Sequence, residues 1–258
     1  MIGAIAGDII GSVYERNNIK TKSFELFSEG SKFTDDSVLT VATMDSIING
    51  KTFNESYKQW FRRYPHAGFG RGFHKWGLSD IMQPYNSCGN GSAMRVSPIG
   101  FYYNTIEEVL VKPEESAIVT HNHPEGIKGA KAVAVAIFLS KNGRGKDEIK
   151  DYIEKNFGYN LNESIDSIRN WYKFDASCQG SVPQSIRCFL DSNSYEDTVR
   201  NAISIGGDSD TIACISGGIA EAYYSEMPEY ITQRAKELLS KEMKEIVDKY
   251  YDKLKKNI

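Results

Sequence analysis

Cysteine is scarce in this chain. Cys88, Cys178, Cys188 and Cys214 are its only four, and no two of them form a CxxC pair. That excludes a structural zinc knuckle and a dense disulfide framework, and the thiols are expected to be reduced. A long apolar run is also missing. The opening stretch Ile2 to Val13 is interrupted by Asp8, has no basic residue before it and is far too short for a bilayer. Neither secretion nor membrane insertion is expected, and the expected location is cytoplasmic. Charge of one sign is lacking too: 31 basic against 34 acidic residues give −3. No global field draws the protein to nucleic acid or to an anionic membrane surface. Sustained period-two alternation with hairpin dipeptides is absent, as are internal repeats and low-complexity tracts. What remains is an all-α reading: one multi-helix domain over 1–258, enough chain for one sizeable core, and a monomer by default.

The apolar residues that are present fall at helical spacing. Ile2, Ile5, Ile9, Ile10 and Val13 form one stripe, while Gly3, Gly7 and Gly11 form another that would let a second backbone approach closely. A second helix is expected to start at Thr34, as its N-cap, and to stop near Asn49-Gly50. Residues 65–100 are punctuated by glycine and proline and read as loop-dominated, a wall of a site. Helical patterning returns at Glu114, breaks at Pro124 and resumes through Phe138. Further helices are expected at 146–156, 161–172, 183–191, 195–204, 210–224 and 229–255.

Two helix starts share an unusual chemistry. Thr34-Asp35-Asp36 and Asp208-Ser209-Asp210-Thr211 each offer two carboxylates and a threonine hydroxyl. Taken separately, each reads as a cap, with Thr, Asp or Ser at the N-cap and acid in the first turn. Taken together they form a set of hard oxygen donors suited to Mg²⁺ or Mn²⁺, with charge enough for two such ions in one carboxylate cage. Glycines at 206 and 207 fit a turn that brings backbone close to a ligand.

Five blocks carry a resemblance. They are Gly3-Ala4-Ile5-Ala6-Gly7-Asp8 with Gly11-Ser12-Val13-Tyr14-Glu15; Phe33-Thr34-Asp35-Asp36-Ser37; Gly89-Asn90-Gly91-Ser92-Ala93-Met94-Arg95; Thr120-His121-Asn122-His123-Pro124-Glu125-Gly126; and Gly206-Gly207-Asp208-Ser209-Asp210-Thr211. In this order they resemble the ADP-ribosylglycohydrolase family. The resemblance implies an all-α domain with a binuclear Mg²⁺ centre in a cleft, held by Thr34, Asp35, Asp36, Asp208, Asp210 and Thr211. It implies that Glu15, or a metal-bound carboxylate such as Asp35, handles the proton of glycosidic cleavage. It places the diphosphate of ADP-ribose on the loop Ser87, Gly89, Asn90, Gly91 and Ser92, and His121 against the ligand. The partner implied is an ADP-ribosylated protein or a small ADP-ribose conjugate. The Thr120–Pro124 block looks closer to the arginine-directed members, which makes modified arginine the preferred acceptor.

Each of these residues also has a plainer reading. Glu15 reads as a solvated helix-end glutamate, Asp8 as a tie between helices, Gly-Asn-Gly as a turn, and Arg95 as an anchor. His121 and His123 lie two apart with no third soft ligand, which argues against zinc, and His123 is expected to cap or pack. Gln179–Pro183 is expected to border the cleft or to form a turn into a helix. One of Trp60, Phe61, Tyr64, Phe69, Phe73, Trp76 and Tyr85 is a candidate to stack on adenine. Two rival classes stand beside the hydrolase: a metal-dependent phosphohydrolase of another all-α fold, and a non-catalytic ADP-ribose binder.

Overall fold

The computed structural model describes residues 1–256. In chain order its helices are α1 (Ile2–Gly11), α2 (Asp35–Asn49), α3 (Phe53–Arg63), α4 (Arg71–Leu78), α5 (Gly91–Met94), α6 (Ser97–Tyr102), α7 (Ile106–Ile118) and α8 (Pro124–Lys141). They continue as α9 (Lys146–Phe157), α10 (Ile165–Trp171), α11 (Cys178–Leu190), α12 (Tyr195–Ser204), α13 (Ser209–Tyr224), α14 (Glu229–Leu238) and α15 (Lys241–Lys256). The protein is all-α as expected. Extended pairing among the described residues is limited to an isolated antiparallel bridge between Gly89 and Ser177.

The centre of the fold is the pair α1 and α13, both buried along nearly their whole length. The glycine stripe makes this possible. A Cβ at Gly7 would stand 2.1 Å from the Ala213 carbonyl oxygen, and one at Gly11 would stand 2.5 Å from Asp210 Cα. Backbone therefore meets backbone where any side chain would hold the helices apart. Because Gly11 abuts Asp210, the end of α1 lies directly on the second acidic cluster.

The other face of α1 holds α2 through Asp8, a fully buried carboxylate. It accepts hydrogen bonds from Thr34 N (2.9 Å), Thr34 Oγ1 (2.6 Å), Ser37 N (3.0 Å) and Ser37 Oγ. The expected tie between helices is thus formed, and α1 is the element that brings two clusters distant in sequence into one place.

Several boundaries differ from the sequence reading. The 65–100 stretch is not all loop: α4 forms there because Phe73 and Trp76, three apart, bury against Phe61 and its neighbours. Pro98 opens α6, where a missing N–H costs nothing. Helix α7 starts at Ile106 rather than near Glu114, because Thr105 and Glu108 form a capping box and the helix accommodates Pro113. Helix α11 starts at Cys178, ahead of Pro183, with Ser177 as its cap, so Gln179–Pro183 is helix rather than turn. The last expected helix is two helices, with Leu239 extended between them.

Candidate active site

The capping interpretation fails at both acidic clusters. Thr34 occupies the N-cap position of α2, yet its side chain makes no cap bond. Asp8 takes the Ser37 amide proton instead, the one a capping side chain would accept. The Thr34 hydroxyl is spent on Asp8, and one oxygen of the Asp36 carboxylate has no partner. At α13, Asp208 stands in the N-cap position, again without a side-chain cap bond. Gly206 and Gly207 precede it with φ of 70° and 79°, left-handed values that suit glycine. Asn18 clamps this turn, accepting from Gly207 N (2.7 Å) and donating to Gly207 O (2.9 Å) and to Glu15 O (3.0 Å).

The two clusters meet at the floor of a cleft of about 310 Å³. Oxygens of Asp8, Asp36 and Asp210 lie within 4.8 Å of one another. Thr211 Oγ1 donates to Asp36 Oδ2 at 3.3 Å. Asp36 Oδ1 is buried with no partner at all. Burial raises the affinity of Asp35, Asp36 and Asp210 for protons well above the ordinary carboxylate range, and neighbouring carboxylates push it further. Burial alone pushes Asp8 up to about 6, against the four bonds it accepts. So much negative charge, held together out of water, is costly unless a cation or protons neutralise it. An orphaned carboxylate oxygen inside an all-oxygen donor set fits a hard divalent cation rather than zinc or copper.

Above the floor stands the loop wall. Thr120 O receives the amides of Tyr85 and Ser87, both at 3.4 Å, and Asn122 Oδ1 accepts from Asn86 N at 2.8 Å, where Asn86 adopts φ 55°. The turn before α8 thus supports the segment leading to Gly89–Gly91. His121 is 4% exposed and its Nε2 faces both glycines. Burial, together with the charge of Arg95, holds its imidazole well below the ordinary histidine pKa.

Of the residues singled out from sequence, Glu15, Thr34, Asp35, Asp36, Ser87, Gly89, Asn90, Gly91, His121, Asp208, Asp210 and Thr211 all line this cleft. Ser92 does not: it is fully buried and its hydroxyl donates to the Gly126 carbonyl at 2.7 Å, behind the loop. Asn90 lies at the wall but turns its side chain inward, donating to Asp208 Oδ2 at 2.8 Å. Glu15 is half-buried, and burial and Asp208 raise its pKa. Arg95 is an anchor, buried over the Tyr57 ring at 4.2 Å, and His123 caps α8 by accepting from Glu125 N. Gln179–Pro183 stays outside the lining; its neighbours Phe174 and Ala176 are part of it. Among the candidate stacking rings, Phe73 and Tyr85 reach the cleft, whereas Trp60 and Phe61 are core. Sequence reasoning overlooked Phe174, 56% exposed between Lys173 and Asp175; an apolar ring in such polar company was the available signal. It also passed over Asn18, for which no pattern stood out.

The family model for ADP-ribosylglycohydrolase matches residues 1–257. The chain is 28% identical to the ADP-ribosylhydrolase ARH3 of Bos taurus, over 89% of this chain and 85% of that protein. It is 27% identical to ARH3 of Mus musculus, over 89% and 84%. An uncharacterised protein of Archaeoglobus fulgidus is 26% identical over 89% and 88%. A solved structure of an ADP-ribosylglycohydrolase-related protein complex shares the fold, with a TM-score of 0.70, 19% identity and 97% and 96% coverage. No helix among the described residues is long and apolar enough to cross a membrane. An all-α frame, an acidic cluster able to hold metal and a family match over essentially the whole sequence converge: the chain belongs to the ADP-ribosylglycohydrolase family, hydrolases of glycosidic bonds.

Proposed function

We propose that this protein is a Mg²⁺-dependent ADP-ribosyl hydrolase that cleaves the glycosidic bond between ADP-ribose and an acceptor. The supporting observation is the meeting of Asp36 and Asp210 at the cleft floor, with an unpartnered Asp36 oxygen. Thr34, Asp35, Asp36, Asp208, Asp210 and Thr211 would hold two Mg²⁺ ions, with Mn²⁺ as a substitute. Bound there, the cations would supply Lewis-acid anchoring of ribose hydroxyls and of the attacking water. The chain's own residues do the rest. Gly89 N donates to Ser87 Oγ and Asn90 N to Ala176 O, so Gly91 N is the amide this loop would offer to the diphosphate, with His121 standing against it. Glu15, half-buried and with a raised pKa, is suited to carry a proton at the scissile bond, and Asp35 is the other carboxylate at hand.

The acceptor side belongs to the acidic end of the cleft. Arginine is the first acceptor to assay, since Glu15 presents a carboxylate that a guanidinium would pair with; serine and O-acetyl-ADP-ribose complete the panel. A cytoplasmic, monomeric enzyme is the accompanying reading, with ADP-ribosylated proteins or small conjugates as partners.

The test is turnover of these conjugates with added Mg²⁺, products identified by mass, in the native chain and in Asp210→Asn. Free ADP-ribose from the native chain and its loss in the variant are expected. Release of AMP would point to the phosphohydrolase class, and tight ADP-ribose binding with no cleavage to a binder.

A further inference from the structure

Two side chains of the turn between α7 and α8, Thr120 and His121, are linked to Arg95, the residue that closes α5, outside the acidic cluster. Arg95 is fully buried and donates from Nη2 to the Ser116 carbonyl and, at 3.0 Å, to Thr120 Oγ1. Thr120 Oγ1 lies 2.7 Å from His121 Nδ1. At the far side of the ring, Nε2 faces the glycine loop: a Cβ on Gly91 would sit 3.1 Å from it and one on Gly89 3.5 Å.

The protons along this chain are set by elimination. A guanidinium only donates, so towards Arg95 the Thr120 oxygen is an acceptor. Thr120 is completely buried, so its own hydroxyl proton has no water to reach. Among the described residues the acceptor recorded for it is His121 Nδ1. That nitrogen must then present its lone pair. The opposite tautomer would strand the hydroxyl proton at the full desolvation cost of an unmade bond. It would also turn a lone pair from Nε2 towards whatever sits on the loop.

We propose that Arg95 and Thr120 are positioning residues that lock His121 in the neutral tautomer with its proton on Nε2, so that the ring offers a donor to a phosphate oxygen at the Gly89–Gly91 loop. For its ligand this rests on the ADP-ribose reading; for the tautomer it does not. Burial beside a permanent cation keeps the ring from charging, so the device works as a fixed dipole rather than a switch.

The experiment uses protein labelled with ¹⁵N-histidine. Long-range ¹H–¹⁵N correlation separates protonated from bare ring nitrogens, and His121→Asn identifies the resonances among the four histidines. The native chain and Thr120→Ser should show Nε2 protonated and Nδ1 bare. Thr120→Val, which cannot donate to Nδ1, should populate the other tautomer and bind ADP-ribose roughly tenfold more weakly by calorimetry, with Thr120→Ser within about twofold of native. A native spectrum with the proton on Nδ1, or a Thr120→Val protein unchanged in both tautomer and affinity, overturns the proposal. If the valine variant does not fold, the native spectrum decides alone. Absence of ADP-ribose binding by the native chain would instead overturn the functional reading, with the tautomer still decided by the resonances.

Discussion

The carboxylate of Asp8 on α1 accepts the amide and the hydroxyl of Ser37 on α2, and so caps a helix to which it does not belong. This arrangement leaves the side chains at the start of α2 available for other chemistry. Asp8→Asn keeps the size and removes the charge, but turns an amide NH₂ towards donors that all need an acceptor. The fold should persist, while Mg²⁺ affinity, read by calorimetry, drops roughly ten- to hundredfold, as for other residues that orient metal ligands. An unchanged affinity would mean that Thr34 and Asp36 hold their positions without it.

The crowded carboxylates make metal-free stability depend on pH in a stated direction. Asp8 rises from 3.8 to about 6 on folding, and Asp35, Asp36 and Asp210 are raised well above the ordinary carboxylate range too. Each binds its proton more tightly folded than unfolded, so the stabilisation is full below the unfolded value and is lost as pH rises through the folded one. For Asp8 that window is about pH 4 to 6 and the loss ~3 kcal/mol. With chelator present, the urea midpoint should fall between about pH 5 and pH 8, and Mg²⁺ at the higher pH should restore it, since a cation held in the folded cage would stabilise that state alone. A chelated protein equally stable at both pH values would contradict the charge crowding.

Gly7→Ala probes the helix pair. Its Cβ would stand 2.1 Å from the Ala213 carbonyl oxygen, a backbone atom that cannot swing aside. A loss of about 3 kcal/mol in urea unfolding is expected, at the upper end of overpacking costs. Gly70→Ala, where nothing lies within 4 Å of the added carbon, should change stability by less than about 0.5 kcal/mol. Equal behaviour of the two variants would show that α1 and α13 can separate without penalty.

How much was legible in the sequence depends on whether the signal was local. The end of α2 at Asn49, with Gly50 left-handed at its C-cap, and the span of α12 follow from short-range chemistry and were read correctly. The start of α7 lies at Ile106, eight residues before the expected Glu114, because the Thr105–Glu108 capping box opens the helix and the apolar spacing alone does not show that box. The stripe of Gly3, Gly7 and Gly11 announced a close neighbour but not which one. Its partner, α13, lies far along the chain, and pairing of that kind leaves no local mark. The same holds within the cleft: the two acidic clusters could be named, whereas the place of Asp8 beside Asp36 and Asp210, the inward turn of Asn90 to Asp208 and the burial of Ser92 required coordinates.

The seam between α1 and α13 also has a kinetic side. It joins Gly7 to Ala213, about 200 positions apart, so the contact that completes the acidic floor is among the most non-local in the molecule. During synthesis, at roughly 5–20 residues per second, α1 waits some ten seconds or more for its partner, an apolar helix with its glycine face uncovered. Mg²⁺ would find no complete cage until α13 has docked. Metal uptake would therefore report the docking of α13, and a nascent chain halted before Ser209 would lack the Asp210 and Thr211 side chains of the acidic floor.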